Sequence, residues 1–560
     1  MRRTAKLMLV CLLVATAACE DLDVTNPNNP SLVTVQANSQ DLLSLINNGL
    51  LQWFDRSNGT RPGIAMSCMA DEFSTGFLDF GGQYLSTEPR DAIDNGIPTG
   101  NAPPHHETWP DYYANIAALN TALKLQKDGD LVLRDAAGDD MTTPALAYAK
   151  FVQGLNHGYI ALMFDKGYVH SESLDLEALA DATLEELLDL IRPYGEVLDT
   201  ALAELNASLQ IANSASFTYP ASVPTTWFLG YSRTSQELAR IVHTYIARLM
   251  VYVARSPAER AAVDWNAVIA HIDQGITEDF EVMGVTGFVD SYFKQRAARQ
   301  RTTRPSDFMR VDYRVVGPAD QGPDFIEWYA LPWADRNPFQ MTDVQDRRID
   351  GMDPAPATCA GVPDNASCGL YMGYHPENIF KVGRGTGQRS YYFYHRWGRG
   401  TSWESGPLKA VNIAEMDLIK AEGLIRLNRA DEAIPLINKY RVTNGQLPPV
   451  DINGAPGTAP NCTPRRMDGT CGNLWDALCY EKRIETLGLE GGPAYYDARA
   501  WGFLAEYTAV EFPIPRLELE LLYPGDQGAI YSFGGPGGES AAPPPNFEVC
   551  PAGVTLPGCP

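Results

Sequence analysis

Tyr480-Glu481-Lys482-Arg483-Ile484-Glu485, followed by Gly491-Gly492-Pro493-Ala494-Tyr495-Tyr496-Asp497-Ala498-Arg499-Ala500-Trp501-Gly502, is the stretch on which the reading of this chain turns. Its first half sits in a helical pattern running from Leu474 to about Leu487. Arg483, Glu485, Asp497 and Arg499 set two cations and two anions among apolar residues. Charges in such surroundings need partners, so a partly buried ion-pair network fixing the C-terminal helices is expected, with Trp501 in the core.

Upstream lie two helical segments, 411–428 and 431–441. Ala421 and Ala433 are twelve apart, the small positions at which the helices of a tetratricopeptide-like pair approach closely, and Ile437 supplies a bulky residue one turn later. Downstream stands Phe512-Pro513-Ile514-Pro515-Arg516-Leu517-Glu518-Leu519. No strict 34-residue repeat recurs elsewhere.

The same helical periodicity dominates the N-terminal half. Residues 40–54 carry Leu42, Leu43, Leu45, Ile46, Leu50 and Phe54 at helical intervals, and 109–127 repeat this with Tyr112, Tyr113, Ile116, Leu119 and Leu123. Thr143 before Pro144 opens a helix to about Phe164. Thr183-Leu184-Glu185-Glu186 is a capping box before 187–205, in which Pro193 should kink or split the helix. A helix over 236–254 follows, and Ser256-Pro257-Ala258-Glu259 caps another to about Ile276. From 284 to 409 the chain changes character: it is rich in aromatics, Arg, Gly and Pro, with no long helical pattern. A plain linker of that length does not suit a compact protein, so a folded, loop-rich region with short strands is expected. Tyr392, Tyr394 and Arg396 alternate as in a strand. The tail after Gly525 reads as irregular.

The expected fold class is mainly α. The organisation read from these patterns is 1–18 as a signal peptide, 19–39 as anchor and linker, 40–283 as an N-terminal helical part, 284–410 as an irregular aromatic-rich lobe, and 411–560 as C-terminal helices and tail, with 19–560 one compact unit.

Arg2, Arg3 and Lys6 precede a twelve-residue apolar run from Leu7 to Ala18, too short to span a bilayer. Ala17-Ala18-Cys19 then offers small residues before a cysteine, and Cys19 is the expected lipidated N-terminus, although Thr16 stands where Leu is usual. A plain secretory signal is the other reading. Glu20, Asp21 and Asp23 follow at once. The net charge of −25 becomes still more acidic when 1–18, which carry three basic residues and no acid, are removed. Such a surface argues against nucleic acid and against electrostatic docking on anionic lipid. Membrane attachment is expected through the lipid alone.

Six cysteines fall into pairs nine apart: Cys359 with Cys368, Cys462 with Cys471, and Cys550 with Cys559. The enclosed segments are rich in Gly, Pro, Asn and Asp. In an exported protein such repeated short loops point to three local disulfides rather than to metal, which wants tighter spacing and nearby His. Cys68 and Cys479 are left over, either as buried thiols or as a long-range bridge.

Taken together, Asn412-Ile413-Ala414-Glu415-Met416-Asp417-Leu418-Ile419-Lys420-Ala421-Glu422-Gly423, the segment Ala433 to Arg441, the Lys482-Arg483-Ile484-Glu485 helix, Tyr496-Asp497 to Trp501-Gly502, and the Pro-Ile-Pro element at 513–515 resemble the SusD/RagB-like family. Ala500 between Arg499 and Trp501 is a small departure. Residues 147–164 resemble the family's early helix, with Gln153 and Gly154 where Arg and Ala are usual. The specific motifs cover about 110 residues; the order of elements covers most of the chain. The resemblance implies a tetratricopeptide-like helical scaffold with a large irregular lobe. It implies a non-catalytic, surface-exposed outer-membrane lipoprotein that captures oligosaccharide or peptide and delivers it to a TonB-dependent transporter, a SusC-like barrel.

The sequence carries no enzyme signature: no H-E-x-x-H, no G-x-S-x-G and no P-loop. Gly383-Arg384-Gly385-Thr386-Gly387 lacks the Lys-Ser/Thr of a phosphate loop and reads as a turn. His105-His106 beside Glu107 reads as a solvated loop, and neither cofactor nor metal is expected. A carboxylate pair for glycoside hydrolysis is not singled out by any motif. A secreted glycan-active hydrolase and a helical-repeat protein-interaction scaffold remain the rival functions. Sugar rings stack on aromatic side chains while neighbouring polar groups take the hydroxyls. Two segments offer that mixture: 77–90, with Phe80, Tyr84 and Arg90, and 324–336, with Trp328, Tyr329, Trp333 and Arg336. Family members commonly build their ligand site from an early and a mid-chain loop, which matches these places in order.

Overall fold

The computed structural model describes residues 39–58, 60–74, 85–95, 105–174, 183–221, 225–285, 310–353, 355, 367–374, 390–396, 405–489, 491–522, 532–533, 550, 554–557 and 559. The expected signal and anchor, Cys19 included, lie outside them, as do Phe80, Tyr84 and Cys359.

At the centre of the N-terminal half is the helix Thr142–Met163, buried along nearly its whole length. It is wrapped by Gly49–Asn58, His105–Asp128, Tyr194–Ser214 and Ser235–Tyr252. Its glycines explain how the neighbours come so near. A Cβ on Gly154 would lie 2.6 Å from Leu205 Cγ, and one on Gly158 would lie 2.5 Å from Leu249 Cδ1. Either distance is inside van der Waals contact, so the missing methyl groups set the spacing between helices.

Helix ends follow local chemistry, with some differences from expectation. The 40–54 pattern is two helices, Ser39–Asn47 and Gly49–Asn58. The carbonyl of Asn47 accepts from Trp227 N at 2.7 Å and from Tyr148 Oη at 3.3 Å, so the chain breaks where tertiary bonds compete with the helix. His105 and His106 open the helix His105–Asp128 rather than a solvated loop. Both direct Nε2 at Asn95 Oδ1, at 2.8 and 3.1 Å. Thr143 is not a cap; Met141 occupies that position without a side-chain bond. Thr183 forms the expected capping box with Glu186, but its helix is only Leu184–Leu188. Pro193 ends a short strand and stands immediately before Tyr194–Ser214, because a proline ring inside the helix would meet the preceding turn. Ser256 caps Pro257–Ala262, and Asp264 caps a separate helix, Trp265–Asp273.

Within 284–410 the described segments are short. Strand Phe280–Val285 pairs antiparallel with Ser405–Val411, and Met372–Tyr374 is the middle of a three-stranded sheet between Ser367–Cys368 and Tyr392–Tyr394. All three residues of Tyr392–Tyr394 are buried. The segment 324–336, expected as a loop, contains the helix Asp324–Ala330 and a tight turn at Trp333–Asp335.

The C-terminal pair is Ile413–Arg426 against Ala430–Thr443, with Ala421, Ala433 and Ile437 wholly buried. Leu474–Glu485 and Pro493–Trp501 complete it. Buried charges are abundant here, but the expected network is wired differently. Glu485 is held by Arg348 at 3.1 Å and Arg396 at 2.9 Å. Asp497 is held by Arg260 and Lys482, both at 2.8 Å. Arg499 donates to the carbonyls of Leu162, Tyr252, Ala254 and Val510. Arg483 forms no ion pair among the described residues. Arg483 and Glu485, like Asp497 and Arg499, are two apart on a helix and face different ways, so they do not pair with each other. Trp501 is buried and donates from Nε1 to Glu422 Oε1 at 3.2 Å.

Cys462–Cys471 and Cys550–Cys559 are disulfides with Cα atoms 5.6 and 5.5 Å apart. Cys68 and Cys479 are separate buried thiols.

Candidate ligand-binding site

The early and mid-chain segments meet, and carboxylates and guanidinium groups hold them together. Asp71 ends the helix Thr60–Met69 in a left-handed turn, φ 53°. Its Oδ1 takes Arg90 Nη2 at 2.5 Å and Arg314 Nη1 at 2.7 Å. Burial would raise this carboxyl, but Arg314 and Arg90 beside it keep it below its ordinary value. Strand Phe73–Ser74 pairs with Arg310–Val311 just beyond, which carries Asp312 and Arg314 into register with Asp71. Asp312 is pushed up to about 7 by burial and by the charge of Asp71.

Glu88 makes the second crossing. One of its oxygens meets Arg314, and the other meets Arg336 Nη1 at 2.9 Å. Arg336 also donates Nε to the carbonyl of Leu331 and Nη2 to that of Tyr329, both at 2.9 Å. Its guanidinium lies 5.1 Å from the Trp328 ring and 5.0 Å from the Tyr329 ring. One buried arginine thus fixes the end of the Asp324–Ala330 helix, the following turn and two aromatic rings.

The structure divides the sequence candidates by exposure. Arg90 is buried and bonded to Asp71, Thr508 Oγ1 and the carbonyls of Thr87 and Cys68. Trp328 is buried between Phe325, Tyr313 and Phe339. Arg336 is buried as described. These three are supports rather than surfaces, because all of them are buried within the protein. Tyr329 and Trp333 are half-buried, beside the exposed Leu331. The Tyr329 ring is positioned by the guanidinium groups of Arg314 and Arg336, 5.4 and 5.0 Å from its centre, and by Phe325.

Glu88 is the element that residue reading missed. Nothing local marks it out, since its partners lie more than 200 residues away. His105 and His106 converge on Asn95 Oδ1, and among the described residues no group of three or more His, Cys, Asp or Glu is placed to hold a metal ion.

No protein-family model matches the sequence, and no curated protein matches it. Solved structures do. A SusD superfamily protein from Bacteroides vulgatus is 12% identical, with a TM-score of 0.50 over 87% of this chain and 97% of that one. Another from Bacteroides thetaiotaomicron is 13% identical, with a TM-score of 0.50 over 86% of this chain and 96% of that one. At such identity the likeness is one of fold. The helical scaffold with its irregular lobe is the fold of the SusD superfamily.

Proposed function

We propose that this chain is a non-catalytic nutrient-binding lipoprotein of the outer membrane, anchored through Cys19 and exposed at the cell surface. It captures an oligosaccharide on the half-buried rings of Tyr329 and Trp333, which act together as a shelf, and passes it to a TonB-dependent barrel. The observation that carries the reading is the double engagement of Glu88, which ties the early segment to Arg314 and Arg336 beneath that shelf. Flat, partly exposed rings can stack on sugar faces, and stacking works best when the rings are held in place before the ligand arrives. The SusD-superfamily fold supports the same reading, as does the lipoprotein-like start of the sequence. Among the described residues no helix is long and apolar enough to cross a membrane, which suits attachment by lipid.

The test has two arms. The protein is purified from gently solubilised outer membranes and its companions are identified by mass spectrometry. A TonB-dependent barrel in near-equal amount is expected, and its absence would remove the delivery role. Separately, the purified chain is titrated with soluble oligosaccharides and peptides. Saturable binding of a glycan without its cleavage is expected. Binding of peptide alone would move the ligand class, and turnover of any glycan would move the protein to the enzymes.

A further inference from the structure

A cavity adjoins Arg314 whose lining includes neither Tyr329 nor Trp333, although Arg314 and Phe325 in its wall also pack against the Tyr329 ring. Its volume is about 70 Å³, and since a single water needs roughly 10–15 Å³ measured in this way, it has room for about five. Four arginines line it: Arg314, Arg465, Arg466 and Arg483. The walls between them are apolar, chiefly Phe325, Phe503 and Val315.

Its arginines are unequally paired. Arg314 is matched by Asp71 and Glu88, and Arg466 Nε by Asp476 Oδ2 at 2.7 Å. Asp476 is already committed to capping Leu474–Glu485, where its Oδ2 also accepts from Asn473 N. Among the described residues Arg465 donates only to backbone carbonyls, those of Asp320 at 3.2 Å and Gly322 at 2.6 Å. Among the same residues the hydrogen bonds of Arg483 go only to the carbonyls of Ala70 and Asp71, both at 3.4 Å. A carbonyl dipole does not neutralise a full charge. Arg466 Nη2 is buried and makes no hydrogen bond. Among the described residues the cavity therefore holds two guanidinium groups with no carboxylate in ion-pair contact, and one unused donor, in a chain whose overall charge is strongly negative.

The arrangement is also built to stay. Cys462–Cys471 closes the loop that carries Arg465 and Arg466. The backbone of that loop is fixed by Arg465 N to Pro318 O at 2.8 Å and by Arg466 N to Thr470 O at 2.8 Å. Burial pulls the Arg483 guanidinium below its ordinary value, although Asp71, Asp312 and Glu72 act the other way. An anion placed beside Arg483 would relieve that penalty.

We propose that this cavity is a binding site for a carboxylate carried on a flat apolar body, an aromatic acid, and that it is distinct from the Tyr329–Trp333 shelf. The planar guanidinium fork matches a carboxylate with two parallel hydrogen bonds, and the phenylalanine walls accept the ring. A compact tetrahedral anion would satisfy the arginines but leave those walls unfilled.

The test is calorimetric titration of the full mature chain in detergent with sodium benzoate, benzyl alcohol and sodium sulfate. Benzoate is expected to bind saturably, with the other two at least about tenfold weaker, as expected when a charge-assisted pair or an apolar contact is missing. Arg465→Gln and Arg483→Gln should each weaken benzoate by about tenfold or more, with circular dichroism confirming the fold. Arg465 lies on the disulfide-closed loop, so its variant remains informative if the Arg483 variant does not fold. The proposal is overturned if benzoate shows no saturable binding, if benzyl alcohol or sulfate binds as tightly, or if a folded Arg465 variant binds benzoate unchanged. Because the readout is binding of a small acid to the isolated chain, it is independent of the barrel and glycan tests.

Discussion

Arg260 and Glu422 stand 162 residues apart in sequence and meet inside the protein through a fork of two hydrogen bonds, 2.9 Å from Nε and 2.7 Å from Nη2. Arg426 and Trp501 Nε1 share the same carboxylate. Glu422→Gln removes the carboxylate on which Arg426 depends and leaves Arg260 and Lys482 to share Asp497, and should destabilise the protein by about 3–5 kcal/mol. The check is the urea midpoint at unchanged slope. Burial alone would raise the Glu422 carboxyl, but Arg260, Arg426 and Lys482 hold it well below the usual range. Its contribution is therefore fully present above its unfolded value, near 4.5, and is lost as the pH falls from there toward the depressed folded value. The variant should flatten that acid limb.

Glu72 has the opposite sign. Burial pushes it from 4.5 up to about 7, despite bonds from Ser67 Oγ and Gly488 N. The folded state thus binds the extra proton between those values, and this group's contribution falls as pH rises from about 4.5 to about 7. Glu72→Gln keeps the shape and an oxygen for Gly488. It should raise stability above neutral pH by about 3 kcal/mol relative to its effect at pH values near 4.5. Equal effects at both ends would show that Glu72 titrates normally.

Trp328 and Trp333 should separate packing from binding. Trp328→Ala removes a buried ring and should cost about 3–5 kcal/mol of stability. Trp333→Ala takes away a half-exposed one. It should change stability far less while weakening an oligosaccharide by about tenfold, since stacking a ring is worth on the order of 1 kcal/mol. Thermal melts and titrations on both variants make the comparison.

Cys68 and Cys479 should not react in the native protein. Burial pushes the Cys68 thiol up to about 12 and also raises Cys479, so neither supplies thiolate at mildly alkaline pH. Alkylation should label neither until denaturant is added, and should then label both. Further labelled thiols under those conditions would break the expectation that Cys359 is joined to Cys368.

Gly158→Ala would place its new methyl 2.5 Å from Leu249 Cδ1. Forcing Leu249 from its rotamer should cost about 1–3 kcal/mol, although alanine favours a helix more than glycine does. A stabilised variant in chemical denaturation would mean that the helices Thr142–Met163 and Ser235–Tyr252 have room to part.

The helices were legible because their signals are local. Apolar spacing placed Ser235–Tyr252 and Ile413–Arg426 within a few residues, and Thr183 and Ser256 named their own helix starts. Pro193 marked its break because a proline ring acts on its own neighbours. Asn48 could not be read in this way, since the break is made by Trp227 and Tyr148.

By itself the sequence determined that this is a helical scaffold with an irregular lobe, that its C-terminal helices carry buried charge, and that aromatics gather in the mid-chain segment. Periodicity, caps and composition are properties of short stretches, and they survive without knowledge of the rest. The tertiary structure decided which charge meets which, that Arg90, Trp328 and Arg336 are buried while Tyr329 and Trp333 are only half-buried, and that Arg465 and Arg483 share a cavity. Burial and ion pairing depend on distances between residues hundreds of positions apart, and those distances exist only once the chain is packed.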